Sequence, residues 1–342
     1  MINKRQSGIL LHPTALPGSY GIGEIGPHAY KFIDHLHQMG QGIWQILPIG
    51  PTDIYNSPYS STSTFAGNPL LISLDLLIED GLLSFSELKN YKKDNSSRIL
   101  FDNLIRFKMP ILKEVSKNFK VNASPDMKLL FKEFCVDHSY WLDDYSEYWA
   151  LKEENKQASW IEWESRTVKD TKNIYEAKVV QFIFHDQWSR LRGYCQDRGV
   201  KIIGDMPIYV GYDSVDIYAN RELFQLDSSG RMIYQGGCPP CEYQKEGQLW
   251  ENPIYNWENH EKTNFEWWKK RFKKLLEMVD TIRLDHFIGY TKYYRIPIGN
   301  QTAHNGEWVQ APGDKLFKVL DSTIIDFNAV STSLSGRSLA LQ

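Results

Sequence analysis

A helix that runs directly into a short strand ending in an acid is the feature that most constrains the fold of this chain. In residues 264–280, apolar side chains recur at three- and four-residue steps, which predicts an amphipathic helix with Asn264 as its N-cap. Residues 281–285 (TIRLD) follow as a strand that ends in Asp285. A helix leading into a strand is the repeating unit of a (β/α) barrel, whose catalytic groups lie at the carboxyl ends of strands.

Arg283 and Asp285 are two residues apart on this predicted strand, so their side chains point to the same face. A guanidinium that close favours the anionic carboxylate, and an anionic Asp suits a nucleophile or a cation stabiliser better than a proton donor. The alternative is a structural ion pair, which is the commoner meaning of an Arg-x-Asp motif taken alone. The rest of the sequence has to decide between these two interpretations.

Other apolar runs extend the pattern into an α/β chain. A helix predicted from Pro27 to Gly40 lies between two of them, and strand, helix, strand in this order argues for a parallel sheet. Residues of about 77–199 are charged and helical in pattern, and we interpret them as an inserted helical subdomain. The further predicted strands are residues 8–11, 43–47 and 200–205.

The composition limits the partners. With 39 basic and 42 acidic residues the net charge is −3, which argues against nucleic acid as the main partner. The chain contains 11 Trp and 19 Tyr, whose rings can stack on sugars but are equally ordinary core material. No apolar run approaches the roughly 18 residues of a membrane span, and the first residues do not resemble a signal peptide. We therefore predict no membrane association and a cytoplasmic location.

Cysteine usage points to neither disulfides nor metal. The four cysteines do not form a disulfide framework. Cys238 and Cys241 form one C-x-x-C motif with two prolines between them, but a zinc site needs four ligands and no second pair exists. A redox motif would open a helix, whereas this one lies among prolines and glycines. No metal and no cofactor are expected.

Short motifs in a fixed order give the chain a resemblance to a known family. These motifs are residues 8–14, 16–17, 44–48, 56–59, 204–210, 213–214, 239–240, 250 and 283–287. With them, from about residue 7 to 320, the chain resembles the 4-α-glucanotransferases, also called amylomaltases or disproportionating enzymes, which are related to the α-amylases. This context favours a catalytic interpretation of Asp285 over a structural ion pair.

The resemblance implies an activity and a set of site residues. The family transfers α-1,4-glucan segments between maltooligosaccharides by a retaining double displacement, and its nucleophile and supporting arginine match Asp285 and Arg283. Maltooligosaccharides or other α-1,4-glucans are therefore the expected partners. Family positions that bind substrate match Ser57, Tyr59, Asp213, Trp250 and His286.

The resemblance also implies a fold, a (β/α)8 TIM barrel with a large helical insertion. Residues 1–320 match its N-terminal part, including about the first four strands, whereas residues 321–342 are expected to lie outside the family and to be disordered. The family's general acid lies beyond the fourth strand. We therefore expect the strand 281–285 to have an unpaired outer edge, and the isolated chain to lack transfer activity unless a C-terminal half supplies the acid. A non-catalytic α-glucan-binding remnant is the alternative function.

Two residues depart from the family's pattern near Trp250. Cys241 stands where the family has an acidic residue after two prolines, and Glu251 stands where a glycine is usual. These departures affect the expected details of the acceptor side of the site and leave the resemblance itself intact.

Overall fold

The computed structural model describes residues 5–88, 98–324, 329–332 and 338–341. The chain folds as two compact units. Unit 1 comprises Met1–Pro51, Ala66–Ala158 and Glu164–Ile203. Unit 2 comprises Thr52–Phe65, Ser159–Trp163 and Gly204–Gln342.

Parallel strands form the sheet of unit 1. Strand β1 (Gly8–Leu10) pairs in parallel with β2 (Ile43–Gln45), and β2 pairs in parallel with β3 (Lys201–Met206), which begins in unit 1 and ends in unit 2. Helix α1 (Pro27–Gln38) connects β1 to β2 and is followed by Gly40 with a left-handed φ of 67°. The predicted strands, their parallel pairing and the helix that joins them are confirmed.

The long segment between β2 and β3 is helical, as the sequence predicted. These helices belong to the same compact unit as β1 and β2, and their interpretation as an inserted subdomain remains a prediction. They are α2 (Leu74–Glu79), α3 (Phe101–Asn122), α4 (Pro125–Asp137), α5 (Ser139–Glu154) and α6 (Thr171–Asp197).

Two glutamines of α6 attach a loop of unit 1 through its backbone. The side-chain amide of Gln181 accepts from Gly67 N (2.8 Å) and donates to Gly67 O (2.9 Å). Gln187 makes the same pair of bonds with Ser73 N (2.7 Å) and Ser73 O (3.1 Å). All of these bonds are buried, so each amide supplies a partner that the loop backbone would otherwise lack.

A buried ion pair joins α3 to the same region of unit 1. Lys108 is fully buried and forms an ion pair with Glu24, and its ammonium also donates to Leu70 O over 2.8 Å. Glu24 in turn accepts from Leu74 N over 3.4 Å. Burial lowers the pKa of Lys108 and raises the pKa of Glu24, and the attraction between the two charges opposes both shifts.

Unit 2 combines the end of β3 with strands and helices from the rest of the chain. The elements are α7 (Val215–Ala219), β4 (Tyr234–Cys238), β5 (Gln248–Pro253), α8 (Trp257–Lys262), α9 (Glu266–Met278), β6 (Thr281–Leu284), β7 (Lys292–Pro297), β8 (Glu307–Gln310), α10 (Gly313–Thr323), β9 (Ala329–Thr332) and β10 (Ser338–Leu341). Strand β4 pairs antiparallel with both β5 and β7, and β7 pairs with β8, which gives a four-stranded sheet in the order β5-β4-β7-β8.

The prediction that the outer edge of β6 is unpaired is wrong. Strand β9 pairs with β6 in parallel, with Arg283 opposite Val330, and β10 pairs antiparallel with β9. Both strands lie within residues 321–342, for which we expected disorder, and β9 supplies hydrogen-bond partners to the edge of β6. A four-residue strand among small polar residues carries too short a pattern to be recognised. Residues 325–328, 333–337 and 342 lie outside the described residues.

The start of the helix before β6 also differs from the prediction. Helix α9 begins at Glu266, after Asn264 (φ 51°) and Phe265 (φ 55°), which both adopt the left-handed conformation. Asn264 is therefore not the N-cap, because a cap has an extended backbone and precedes the first helical residue.

Within the described part of the chain, no helix is long and apolar enough to cross a membrane.

Candidate active site

An open pocket of about 880 Å³ lies within unit 2. Part of its wall lies at the carboxyl ends of β3 and β6, where Pro207 and Asp285 directly follow the two strands. The lining residues are Ser57, Tyr59, Ser60, Pro207, Ile208, Tyr209, Cys238, Gln248, Trp250, Asn252, Arg283, Asp285, His286, Phe287 and Ile288.

Arg283 binds two carboxylates in this region. Its Nη2 donates to Asp285 Oδ1 over 2.9 Å, and its Nη1 donates to Asp205 Oδ2 over 2.6 Å. The shared face predicted for Arg283 and Asp285 is thereby confirmed. Asp205 comes from the neighbouring strand end, where Asp285 N donates to Met206 O over 3.1 Å. The guanidinium therefore fixes one oxygen of each acid and leaves Asp285 Oδ2 outside these bonds.

Tyr59 completes the polar group around Asp205. Its hydroxyl donates to Asp205 Oδ2 over 2.8 Å, and the residue as a whole is 37% exposed. Burial and the neighbouring Asp205 charge raise the pKa of Tyr59, so its hydroxyl stays a donor at neutral pH. Burial also raises the pKa of Asp205, although the bonds from Tyr59 and Arg283 oppose that rise. Asp205 Oδ1 is buried and has no hydrogen-bond partner among the described residues.

An aromatic group forms another part of the wall. The Trp250 ring lies edge-to-face with His286, with ring centroids 4.9 Å apart, and its indole N–H donates to Gln248 Oε1 over 2.7 Å. Tyr209 is the next ring, 6.1 Å from Trp250. His286 has a left-handed φ of 46°, and burial lowers its pKa, so the neutral imidazole is favoured. A flat ring held by an amide is suited to stack against a sugar.

The structure brings six of the seven predicted site residues to one pocket: Ser57, Tyr59, Trp250, Arg283, Asp285 and His286. Ser57 Oγ also accepts from Tyr59 N over 3.3 Å, which fixes the loop that carries both residues. Asp213 is not among the lining residues, and its Oδ1 accepts from Trp160 N over 3.1 Å. A role for Asp213 in sugar binding therefore remains a prediction.

Sequence reasoning left several residues that line the pocket or contact its lining out of the predicted site. Asp205 carried a usable signal, because it ends a strand with a carboxylate just as Asp285 does. Gln248 lies two residues before Trp250 on β5, the spacing that places both side chains on one face. Asn252 follows Trp250 on the same strand with the same spacing of two. Tyr209 offered no pattern of its own, since only the folded chain brings it beside Trp250.

The cysteines do not form a metal centre. All four are free thiols, and burial raises the pKa of the pocket-lining Cys238. Cys241 is exposed and does not line the pocket. No group of three or more His, Cys, Asp or Glu side chains in the described ranges could hold a metal ion.

Comparisons with known proteins agree with the class that the fold suggests, an α/β enzyme. The model of the 4-alpha-glucanotransferase family matches residues 11–332. The 4-alpha-glucanotransferase of Aquifex aeolicus is 42% identical over 330 residues, covering 92% of this chain and 66% of that protein. The 4-alpha-glucanotransferase of Synechocystis is 42% identical over 340 residues, covering 95% of this chain and 67% of that protein.

A comparison with a solved structure also points to the 4-alpha-glucanotransferases. The amylomaltase from Streptococcus agalactiae, in complex with acarbose, superposes with a TM-score of 0.91 at 36% identity, covering 97% of this chain and 69% of that one. The chain therefore belongs to the 4-alpha-glucanotransferase family and has its α/β fold with a parallel sheet. It spans about two thirds of the length of the curated relatives that it matches. The family match ends at residue 332, beyond the boundary predicted at 320.

Proposed function

We propose that this chain provides the nucleophile and the glucan-binding pocket of a 4-α-glucanotransferase, in the first strands of a (β/α)8 barrel. The observation that carries the proposal is the bond from Arg283 to Asp285 Oδ1, inside a pocket walled by Tyr59 and Trp250. The aromatic walls suit the faces of glucose rings, and the fixed carboxylate suits attack on an anomeric carbon. Membership of the family supports the choice of α-1,4-glucans as substrates, and we infer a cytoplasmic location.

In this mechanism Asp285 attacks the anomeric carbon of the donor glucan through its free oxygen, Oδ2. The bond from that carbon to the glycosidic oxygen breaks, and the departing oxygen takes a proton from a carboxylic acid. The 4-hydroxyl of an acceptor glucan then attacks the same carbon, releases Asp285 and returns a proton to that acid. Arg283 holds Asp285 in position and favours its anionic form in both steps.

Asp205 is a poor candidate for the proton donor. Its Oδ2 accepts hydrogen bonds from both Tyr59 and Arg283, and its Oδ1 is buried. A proton on Oδ2 would compete with the bonds from Tyr59 and Arg283, and Asp205 is not among the residues that line the pocket. In the proposed mechanism the acid comes from the family's later strands, supplied by a polypeptide that contains them.

The proposal is tested with maltotriose. The chain is incubated alone and with a polypeptide that carries the later strands of a relative, and glucose and longer maltodextrins are separated by chromatography. We expect transfer only in the mixture, and none with Asp285→Asn, whose amide cannot form the glycosyl ester. An Asp285→Asn variant that transfers at the wild-type rate would show that the nucleophile lies elsewhere.

A non-catalytic α-glucan-binding protein is the second candidate function. It is favoured by the fact that Tyr59, Trp250 and Gln248 all line the pocket of this chain, because glucan binding does not require the general acid that transfer needs. Calorimetric titration with maltotetraose separates the candidates, since binding without transfer in either preparation supports this second function. A chain that binds no maltotetraose contradicts both.

A further inference from the structure

Residues 207–209 form the pocket wall directly after β3. Pro207, Ile208 and Tyr209 all line the pocket, and they follow Asp205 after a single intervening residue. They lie outside any helix or strand, so no ladder of backbone hydrogen bonds holds them. Buried carbonyl groups in such a segment need partners from side chains or water.

Two buried side chains supply these partners. The Tyr255 hydroxyl donates to Ile208 O over 2.7 Å. Arg271 Nη2 donates to Pro207 O over 2.5 Å, while its Nη1 donates to Ile208 O over 3.3 Å and to the Tyr255 hydroxyl over 3.2 Å. Only 1% of Tyr255 and 3% of Arg271 is exposed. Together they bind both carbonyl groups that follow β3.

The Arg271 guanidinium is well suited to this arrangement. It lies 5.3 Å from the ring centre of Trp267 and 5.2 Å from that of Trp268, so cation–π contacts offset part of the cost of its burial. A guanidinium is planar and presents several donors in a fixed fork, which fits two adjacent carbonyl groups. A lysine in its place would offer a single point charge.

We propose that Tyr255 and Arg271 are positioning residues for the pocket, and that they act by clamping the carbonyl groups of Pro207 and Ile208. The inference rests on the proposed function, because it assigns the clamp to glucan binding. Tyr209, the next residue, lies 6.1 Å from Trp250, so a shift of the clamped segment changes the space in which a sugar would stack. The clamp thereby sets the aromatic wall without touching the substrate.

Tyr290 offers a matched control for Tyr255. Both tyrosines are fully buried and contact Trp268, with ring centroids 5.0 Å away for Tyr255 and 5.7 Å away for Tyr290. The Tyr290 hydroxyl has no hydrogen-bond partner among the described residues. Tyr255→Phe and Tyr290→Phe therefore make the same chemical change, but only the first removes a bond to the wall.

The experiment measures two properties of the full chain, at a temperature where circular dichroism shows every variant folded. Maltotetraose affinity is measured by calorimetric titration, and hydrogen exchange of the peptide that contains residues 207–210 is followed by mass spectrometry. We expect Tyr255→Phe to weaken binding about fivefold and to speed exchange, as the loss of one hydrogen bond predicts. Tyr290→Phe should change neither property. Arg271→Lys should resemble Tyr255→Phe, with a larger effect.

Equal affinities and equal exchange rates for the two phenylalanine variants would overturn the clamp. Faster exchange with unchanged affinity would overturn its role in binding. If the wild type binds no maltotetraose, the proposed function fails and with it the role of the clamp in glucan binding. The exchange rates then still decide whether Tyr255 and Arg271 hold residues 207–209.

Discussion

Arg283 donates to Asp285 Oδ1 over 2.9 Å, and this bond joins a residue of β6 to the acid that directly follows the strand. The same guanidinium reaches Asp205 Oδ2 over 2.6 Å, at the end of β3. One cation therefore holds two carboxylates that would otherwise repel each other. Which oxygen of Asp285 faces a substrate depends on this bridge, and so does the packing of two strand ends.

Replacing Arg283 with lysine should lower glucan transfer much more than glucan binding. A lysine keeps the charge but cannot donate to Asp205 and Asp285 in the fixed geometry of a guanidinium. Loss of a charge-assisted bond costs about 1.5–3 kcal/mol, so we expect transfer to fall roughly tenfold to a hundredfold. The measurement is the initial rate of maltotriose disproportionation in the mixture described above.

Lys292→Arg is the control for Arg283→Lys, because Lys292 lies over Trp308 and does not line the pocket. It should leave the rate unchanged. If Arg283→Lys weakens maltotetraose binding as much as it slows transfer, Arg283 acts on the ground state and the positioning of the nucleophile is not its main role.

Stability should fall on acidification because of His260. Burial among aromatic rings lowers the pKa of His260 from 6.5 to about 4. As pH falls below 6.5, the unfolded chain binds a proton that the folded chain does not, so the free energy of unfolding decreases until pH reaches about 4. A shift of that size corresponds to about 3 kcal/mol for one group. Urea unfolding at pH 7 and pH 4 measures it.

His260→Phe should remove most of that dependence, because phenylalanine has no titrating group. His28→Phe is the matched control, since His28 is exposed on α1. The pKa of His12 is also lowered to about 4 by burial, so some acid sensitivity remains in every variant. An identical pH dependence in His260→Phe and wild type would contradict the assignment.

Local sequence patterns predicted the structure correctly where residues close together in the chain determine it. The alternation of a strand placed Arg283 beside Asp285, and Pro27 and Gly40 bounded α1 closely. Asn264 was misplaced as a cap, because its left-handed backbone comes from how the chain enters α9. Such an entry depends on the packing of Phe265, which is buried, and no propensity encodes it.

Contacts between distant residues explain what the sequence could not predict. Asp205 joins the site through Arg283, 78 residues later, and Tyr59 reaches it over 146 residues. Asp213 was expected in the pocket from the family resemblance, yet its carboxylate accepts from Trp160 N, 53 residues earlier. Hydrogen bonds of this kind leave no periodic signal, and only the tertiary fold reveals them.

The buried ion pair of unit 1 should be costly to break from one side. Lys108→Met leaves the Glu24 carboxylate buried without its cation, which typically costs about 3–5 kcal/mol. Adding Glu24→Gln should recover part of the loss, because an amide oxygen can still accept from Leu74 N. Urea unfolding of both single variants and the double variant gives the coupling energy.

The single variant Lys108→Met should also change its response to pH. Burial already raises the pKa of Glu24, and removing Lys108 takes away the charge that opposes the rise. The folded state then binds a proton more readily than the unfolded state, so stability should increase as pH falls towards 4.5. Two results together would mean that the two side chains contribute independently. The loss of stability in the double variant would equal the sum of the losses in the single variants, and Lys108→Met would show no such pH effect.

Glu251→Gly should stabilise the chain. Glu251 is exposed and has a left-handed φ of 57°, a conformation that costs a residue with a Cβ about 1–2 kcal/mol. The family resemblance places a glycine at this position, and glycine adopts the conformation without that cost. Its greater freedom in the unfolded chain removes about 0.4–1 kcal/mol of the gain.

We expect a net gain of about 0.5–1 kcal/mol in the free energy of unfolding, measured with urea, whereas Glu251→Ala, which keeps the Cβ, should gain nothing. Equal gains in both variants would trace the effect to the glutamate side chain and away from the backbone.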